Sequence, residues 1–289
     1  MTNKQHSIKW NGYSGKIICG DVLDYLAGIR EPFVDLIVTS PPYNVGIKYD
    51  SWNDAMPVEE YRSWMGKVVK ELLRITKRGG RLCINVPFIG NTWFRAKSTK
   101  MQFYPAFYLP LIEEVGWIPR DFFVWIKTRQ PENPNSFCGN ATSWGSWLSP
   151  SCPYARCFAE VILVFHKETK KLQEKGETDL TKSEFLELTK NVWYFPAEIS
   201  RQHPAPFPVE LPRRLIKLYS YVGATVLDPF CGSGATCVAA RMLKRNFVGV
   251  DISEKYCKQA FEAVAQATLQ WEKDRGSSTS NSNTTMGGS

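Results

Sequence analysis

Two short peptides hold the residues of this chain best suited to chemistry, and each follows an apolar run. TSPPYN spans Thr39–Asn44 and follows the run at 34–38, whereas DPFCGSGAT spans Asp228–Thr236 and follows the run at 223–227. Such runs are typical of buried strands, and open α/β sheets bind ligands just beyond the carboxyl ends of their strands. We therefore expect both peptides to face one crevice, although they lie far apart in the chain.

The glycine-rich peptide predicts a site for a nucleotide-like cofactor. Gly232 and Gly234 allow the backbone to approach a ligand, and a helix is predicted directly after them. Asp228 would repel a pyrophosphate but attract a cationic cofactor with an amino-acid tail, which points to S-adenosyl-L-methionine. Asp251 ends the next predicted strand, where an acidic residue commonly binds a ribose diol. The cofactor candidates in this peptide are Asp228, Pro229, Phe230, Gly232, Ser233, Gly234 and Thr236.

The SPPY residues predict a rigid set of acceptors for an amino group. Pro41 and Pro42 remove two amide N–H groups and fix two φ angles, so the loop presents carbonyl oxygens. Ser40 adds a hydroxyl, and Tyr43 adds an aromatic face that could stack on a base turned out of its helix. Acceptors that hold the hydrogens of an exocyclic amine would free its lone pair. These four residues are catalytic candidates and Thr39 is a cofactor candidate, with a plain Pro-Pro turn as the alternative.

Together the two peptides resemble the signature pair of DNA amino-methyltransferases, and the SPPY motif comes first, as in the β class of that family. The resemblance covers residues 15–270. It implies an α/β fold with a doubly wound, mostly parallel Rossmann-like sheet, S-adenosyl-L-methionine as the cofactor, and direct methyl transfer to a flipped base. It also implies that Asp21 contacts the cofactor and that HPAPFP, with His203 and Pro206, forms the motif before the cofactor loop.

The identity of the modified amine is left open by the motifs. Ser40 in place of an aspartate resembles the N4-cytosine members, and N6-adenine is the alternative. RNA and protein-glutamine methyltransferases also carry NPPY-type loops, but their loop follows the cofactor motif. A non-catalytic DNA-binding subunit is the alternative from another class, and the intact motifs argue against it.

The charge of the chain favours an anionic partner. The formal net charge is +8, and residues 60–130 hold 13 basic against 5 acidic side chains. A solvated basic face is the alternative to nucleic-acid binding. The resemblance implies double-stranded DNA as the partner, and it leaves open a cognate restriction endonuclease and a homodimer.

Cysteine and histidine usage predicts neither disulfides nor a metal site. The eight cysteines include no CxxC pair, and the chain has three histidines. Reduced cysteines are typical of a cytoplasmic protein. No apolar run approaches the ~18 residues of a membrane span, so we expect no membrane association.

Alternating patterns predict a single methyltransferase domain over residues 1–275. Within it, the charged, helix-prone segment at 167–200 is a predicted target-recognition insertion, and 128–158 is a predicted long functional loop. Residues 276–289 lack apolar content and are predicted to be disordered. The predicted strands are 16–20, 34–38, 81–86, 122–126, 160–166, 223–227 and 247–251, and the main predicted helices are 22–29, 57–76, 101–115 and 252–274.

Overall fold

Strands and helices alternate through most of the chain. The computed structural model describes residues 4–47, 49–52, 54–90, 102–130, 133–137, 146–153, 157–198 and 208–280. The strands are β1 (Lys4–Trp10), β2 (Tyr13–Cys19), β3 (Val34–Thr39), β4 (Thr76–Pro87), β5 (Ile89–Gly90), β6 (Gln102–Phe103), β7 (Ile118–Gln130), β8 (Asn133–Phe137), β9 (Ala159–His166), β10 (Val192–Phe195), β11 (Thr225–Asp228) and β12 (Asn246–Asp251). The helices are α1 (Val22–Ala27), α2 (Val58–Ile75), α3 (Tyr104–Glu114), α4 (Lys182–Leu188), α5 (Glu210–Tyr219), α6 (Ala235–Met242) and α7 (Glu254–Ser280).

One sheet carries the fold, with strand order β1-β2-β12-β11-β3-β4-β9-β7-β10 and β8 paired to β7. Its centre, β2-β12-β11-β3-β4, is parallel, whereas β9 runs antiparallel to both of its neighbours. Because β11 pairs with both β3 and β12, the carboxyl ends of these three strands meet at one edge. That edge receives the SPPY loop, the glycine-rich loop and Asp251.

Helices cover both faces of the sheet, which confirms the predicted doubly wound α/β architecture. One face packs against α1, α2 and α3, and the other packs against α5, α6 and α7. In α2 the buried positions recur at helical spacing, including Met65, Val68 and Leu72. Each such side chain, fully buried, contributes about 1.5–3 kcal/mol to stability.

The predicted turn at KRGG is wrong, because these residues already belong to β4. Helix α2 ends at Ile75 and the strand starts at Thr76, with a register shift opposite Val34 and Leu36. Gly79 has φ +77°, and a Cβ there would lie 2.1 Å from the carbonyl oxygen of Lys171. Glycine therefore serves a strand irregularity packed against another segment, rather than the end of a helix.

Two further elements differ from the predictions. Strand β1 was not predicted, although Asn11 and Gly12, at φ 43° and 84°, form the tight turn that an Asn-Gly pair favours in hairpins. In the predicted insertion, only α4 is helical, and β10 joins the main sheet with Trp193 and Phe195 buried. Apolar alternation in this short strand was masked by the charged residues around it.

Some predictions fall outside the described residues or stay untested. His203, Pro206, the tail at 281–289 and parts of 128–158 lie outside the described residues. Helix α7 continues to Ser280, past the predicted boundary at residue 275. The domain limits and the target-recognition role of 167–200 stay predictions.

Candidate active site

A cavity of about 370 Å³ opens where β3, β11 and β12 end, which is a volume suited to a small-molecule ligand. Both motif loops line it, so they face one cavity as their positions after strands predict. The predicted site residues in its wall are Asp21, Ser40, Pro41, Pro42, Tyr43, Pro229, Phe230, Gly232, Ser233 and Asp251. Thr39, Asp228 and Thr236 lie behind this wall, at 2 %, 0 % and 1 % exposure, and Gly234 is also buried.

The cavity has two halves that differ in chemistry. The glycine-loop half is formed by the ends of β2 and β12 with the loop after β11, and it includes Asp21, Phe230, Asp251 and Tyr256. The SPPY half is formed by the loop after β3 with the ends of β4, β7 and β9, and it includes Ser40, Tyr43, Asn85, Trp125, Lys127 and Glu160.

Asp251 fixes the shape of the glycine-loop half. Its Oδ2 accepts a hydrogen bond from the Gly232 amide at 2.9 Å, and its Oδ1 accepts from the Ser253 amide at 2.9 Å. Burial raises the pKa of this carboxyl group above its ordinary value. Asp251 thus holds the glycine loop against the end of β12 and also faces the cavity.

Gly234 allows helix α6 to begin against helix α7. Its φ is +90°, in the left-handed region, and a Cβ there would lie 2.8 Å from the Cβ of Ala260. A side chain would therefore be strained by the backbone and would collide with the neighbouring helix. Gly232, at φ 48°, bends the same loop toward the cavity.

Asp228 lies beneath the glycine loop and organises it from behind. Its Oδ1 accepts from Thr39 Oγ1 at 2.8 Å and from the Phe230 amide at 3.1 Å. Its Oδ2 is buried and has no hydrogen-bond partner among the described residues. Burial raises the pKa of Asp228 to about 6. This side chain joins the two motif loops and places a carboxyl group directly under the cavity wall.

Asp21 lies at the start of α1 and faces the glycine-loop half. Its Oδ1 accepts from the amides of Leu23 and Asp24, at 2.8 and 3.2 Å, which caps the helix. The cap fixes the carboxylate at the cavity. The described lining of this half contains Asp21 and Asp251 but neither lysine nor arginine. It therefore fits a cationic ligand better than a pyrophosphate.

The Ser40 hydroxyl has its hydrogen engaged and its oxygen free to accept. Ser40 Oγ lies 2.5 Å from Tyr43 Oη, and Tyr43 Oη donates to the carbonyl oxygen of Asn85 at 3.0 Å. A tyrosine hydroxyl has one proton, so Ser40 must be the donor in the first bond. Desolvation raises the pKa of Tyr43 well above its ordinary value, so this phenol stays protonated. The lone pairs of Ser40 Oγ remain available to an amine.

Two of the carbonyl groups in the SPPY loop are already engaged. Tyr61 Oη donates to the Pro42 carbonyl oxygen at 2.6 Å, and Tyr104 Oη donates to that of Tyr43 at 3.0 Å. Ser40 and Pro41 are therefore left to supply the amine acceptors. The sequence does not reveal these two tyrosines as supports, because each follows the ordinary spacing of an apolar helix face.

The segment after the SPPY loop is fixed by Asp54, which the sequence analysis also missed. This carboxylate is 2 % exposed and accepts from the amides of Asn44, Val45 and Ile47, at 2.7, 3.0 and 3.0 Å. Farther along, Asp50 Oδ2 accepts from Ser253 Oγ at 2.7 Å. The segment thus connects the two halves of the cavity.

The basic excess at 60–130 does not form one open face in the described structure. Lys77, Arg78, Arg81 and Arg120 lie near the starts of β4 and β7, at the opposite end of the sheet from the cavity. Several of the basic side chains pair with acids, as Arg62 does with Glu114 at 2.7 Å. Arg95, Lys97 and Lys100 lie outside the described residues.

Two other kinds of site can be assessed only for the described part of the chain. Within it, no helix has the length and apolar content needed to cross a bilayer. Nor does that part contain a group of three or more His, Cys, Asp or Glu side chains arranged to hold a metal ion.

A doubly wound sheet with a glycine loop and a proline-rich acceptor loop at one cavity defines a Rossmann-like methyltransferase. The chain belongs to the DNA methylase family of N6 and N4 methyltransferases, which matches residues 34–262. It is therefore a DNA methyltransferase of the amino-methylating kind, and the family predicted from the two motifs is confirmed.

Individual relatives support this assignment. The chain is 36% identical over 194 residues to the type II methyltransferase M.MjaVI of Methanocaldococcus jannaschii, which covers 67% of this chain and 92% of that protein. A DNA modification methylase of Thermus thermophilus, TTHA0409, complexed with S-adenosyl-L-methionine, matches at 28% identity and TM-score 0.66, over 86% of this chain and 92% of that one. PvuII DNA methyltransferase, a cytosine-N4-specific enzyme, shares the fold at 18% identity and TM-score 0.65, over 90% and 92%.

Proposed function

We propose that this protein transfers a methyl group from S-adenosyl-L-methionine to the N4 amine of a cytosine flipped out of double-stranded DNA. The observation that carries the proposal is the Ser40–Tyr43–Asn85 hydrogen-bond chain, which leaves Ser40 Oγ as an acceptor at the cavity. Adenine N6 is the alternative target. A cognate restriction endonuclease and a homodimer stay predictions.

The glycine-loop half is the proposed cofactor site. Asp21 and Asp251 would face the charged and hydroxyl groups of the cofactor, and Phe230 and Tyr256 would contact its flat ring. S-adenosyl-L-methionine supplies the methyl group when it is bound. The buried carboxyl group of Asp228 favours a cation above it, because a positive charge stabilises its ionised form.

The SPPY half is the proposed base site. Ser40 Oγ and the Pro41 carbonyl accept the amine hydrogens, which turns the nitrogen lone pair away from the ring. Tyr43 stays protonated and cannot act as the base, so the amine proton leaves to solvent after transfer. The protein contributes position and exclusion of water more than acid–base chemistry.

Ser40 is the reason for preferring cytosine. A serine hydroxyl is a neutral group that both donates and accepts, whereas an aspartate at this position would be a stronger acceptor. The supports from Tyr61 and Tyr104 hold Pro42 and Tyr43 close, which suits the smaller pyrimidine ring. This choice is independent of the assignment as an amino-methyltransferase.

The decisive experiment is mass spectrometry of nucleosides from DNA treated with the protein and isotope-labelled S-adenosyl-L-methionine. We expect N4-methylcytosine. Ser40→Ala should lower turnover with little change in DNA affinity, while Ser7→Ala, on exposed β1, should match the wild type. N6-methyladenine alone would overturn the cytosine choice, and no methylated base of either kind would overturn the proposed activity.

A further inference from the structure

Three polar side chains from separate strands meet on the floor of the SPPY half. They are Asn85 on β4, Glu160 on β9 and Lys127 on β7. Glu160 lies opposite Pro87 in one strand pair and opposite Trp125 in the other. The sheet register therefore brings the three side chains to one face, at the cavity end of an otherwise apolar core.

Hydrogen bonds connect this cluster to the proposed catalytic loop. Asn85 Nδ2 donates to Glu160 Oε2 at 2.5 Å, and Lys127 Nζ donates to Glu160 Oε1. Asn85 also accepts, through its carbonyl oxygen, the hydrogen bond from Tyr43. Asn85 Oδ1 is buried and has no partner among the described residues. The cluster thus lies beside Ser40 and is incomplete without a ligand.

Stability does not account for an ion pair at this position. The side chains of Lys127 and Glu160 are 27% and 14% exposed, and Lys127 Nζ lies 5.1 Å from the centre of the Trp125 ring. Desolvating two charges offsets most of their attraction, so such pairs contribute little to folding. Among the described residues that line the cavity, Lys127 is the one cationic side chain.

We propose that Lys127 Nζ donates a hydrogen bond to the ring nitrogen next to the amine-bearing carbon of the target base. That atom is N3 in cytosine and N1 in adenine, and it is an acceptor in both. This inference rests on the proposed function, and it assigns a base-binding residue to the same site. Glu160 and Asn85 act as positioning residues for the ammonium group.

The donor and acceptor roles in the cluster lead to this assignment. The ionised carboxylate of Glu160 only accepts, so it would repel the lone pair of a ring nitrogen. The amide hydrogens of Asn85 are directed to Glu160 and Tyr43, at 2.5 and 3.4 Å. Lys127 has three N–H donors and uses one on Glu160, which leaves donors for the base.

The test compares a normal duplex with one whose target base lacks only the ring nitrogen. The recognition site is first located by sequencing plasmid DNA modified by the wild-type protein. The target is then replaced by 3-deaza-2′-deoxycytidine, or by 1-deaza-2′-deoxyadenosine if adenine is modified. For the wild type we expect kcat/KM to fall about tenfold or more on the analogue, the effect of losing one charged hydrogen bond.

The variant Lys127→Met should be slow on both duplexes and discriminate between them less than about twofold, since the hydrogen bond is already absent. Lys77→Met is the matched control, because it removes a lysine of the same sheet that pairs with Asp35 at 3.1 Å, far from the cavity. It should discriminate as the wild type does. Binding of S-adenosyl-L-methionine checks the fold, and Lys127→Gln replaces Lys127→Met if that binding is lost.

The outcomes separate this assignment from the proposed function. Equal discrimination by wild type and Lys127→Met would overturn the base contact, and so would a wild type that modifies both duplexes equally well. A lowered salt dependence of DNA binding with unchanged discrimination would assign Lys127 to a phosphate and also overturn it. A wild type inactive on normal DNA would refute the proposed function together with this inference.

Discussion

The buried carboxyl group of Asp228 should make the folded protein less stable at neutral pH than a neutral side chain would. Asp228 is 0 % exposed, and its Oδ2 has no hydrogen-bond partner among the described residues. Burial raises its pKa from an ordinary value of 3.8 to about 6. Asp228→Asn keeps the shape and the acceptor for Thr39 and Phe230 but removes the charge.

The sign and size of the effect follow from proton linkage. The folded state binds a proton that the unfolded chain has released, so the free energy of unfolding falls as pH rises from about 4 to about 6. The destabilisation is complete above that window and amounts to about 3 kcal/mol. Weaker hydrogen bonds to a neutral acceptor offset about 1–2 kcal/mol of the gain. We therefore expect Asp228→Asn to be about 1–2 kcal/mol more stable than the wild type at pH 8.

Urea unfolding of both proteins without cofactor, at pH 4.5 and pH 8, measures this difference. The advantage of Asp228→Asn should shrink or reverse at pH 4.5, where the wild-type carboxyl group is protonated when folded. Asp35→Asn is the control, because Asp35 pairs with Lys77 at 3.1 Å and accepts from the Thr225 amide at 2.8 Å. That variant should gain nothing at pH 8. An Asp228→Asn protein less stable than the wild type by the same amount at both pH values would refute the reasoning.

Four other changes test separate parts of the site. Gly234→Ala combines strain at φ +90° with a clash against Ala260, so thermal unfolding should show a loss of about 1–3 kcal/mol, and an unchanged Tm would contradict this. Asp251→Ala should weaken S-adenosyl-L-methionine binding by about 1.5–3 kcal/mol in calorimetry, and equal affinity would remove Asp251 from the cofactor site. Tyr61→Phe frees the Pro42 carbonyl and should lower kcat while cofactor affinity stays the same, so an unchanged kcat would show that the support is dispensable. DNA affinity should fall steeply between low and physiological salt, and a flat response would show that the basic excess is only a solvated face.

Local patterns in the sequence were enough to predict the fold class, the family and the shared edge. The apolar runs at 34–38 and 223–227 identify buried strands, and a loop after each strand must lie at the carboxyl edge of a parallel sheet. The spacing of Gly232 and Gly234 and the Pro41–Pro42 pair are signals within a few residues. The hairpin at Asn11–Gly12 carried a signal of the same kind, which the predicted elements left out.

The tertiary structure alone decided how these local elements act on one another. It placed Asp228 behind the cavity wall, and it directed Tyr61 and Tyr104 to carbonyl groups of the SPPY loop. Nothing near these residues in the sequence specifies such contacts, because a buried tyrosine on a helix has the spacing of any core residue. The meeting of Lys127 and Glu160 depends on the antiparallel register of β7 and β9, which is set by pairing between distant segments. Sequence motifs thus determined which groups are present, while strand register and packing determined which lone pairs and charges face the cavity.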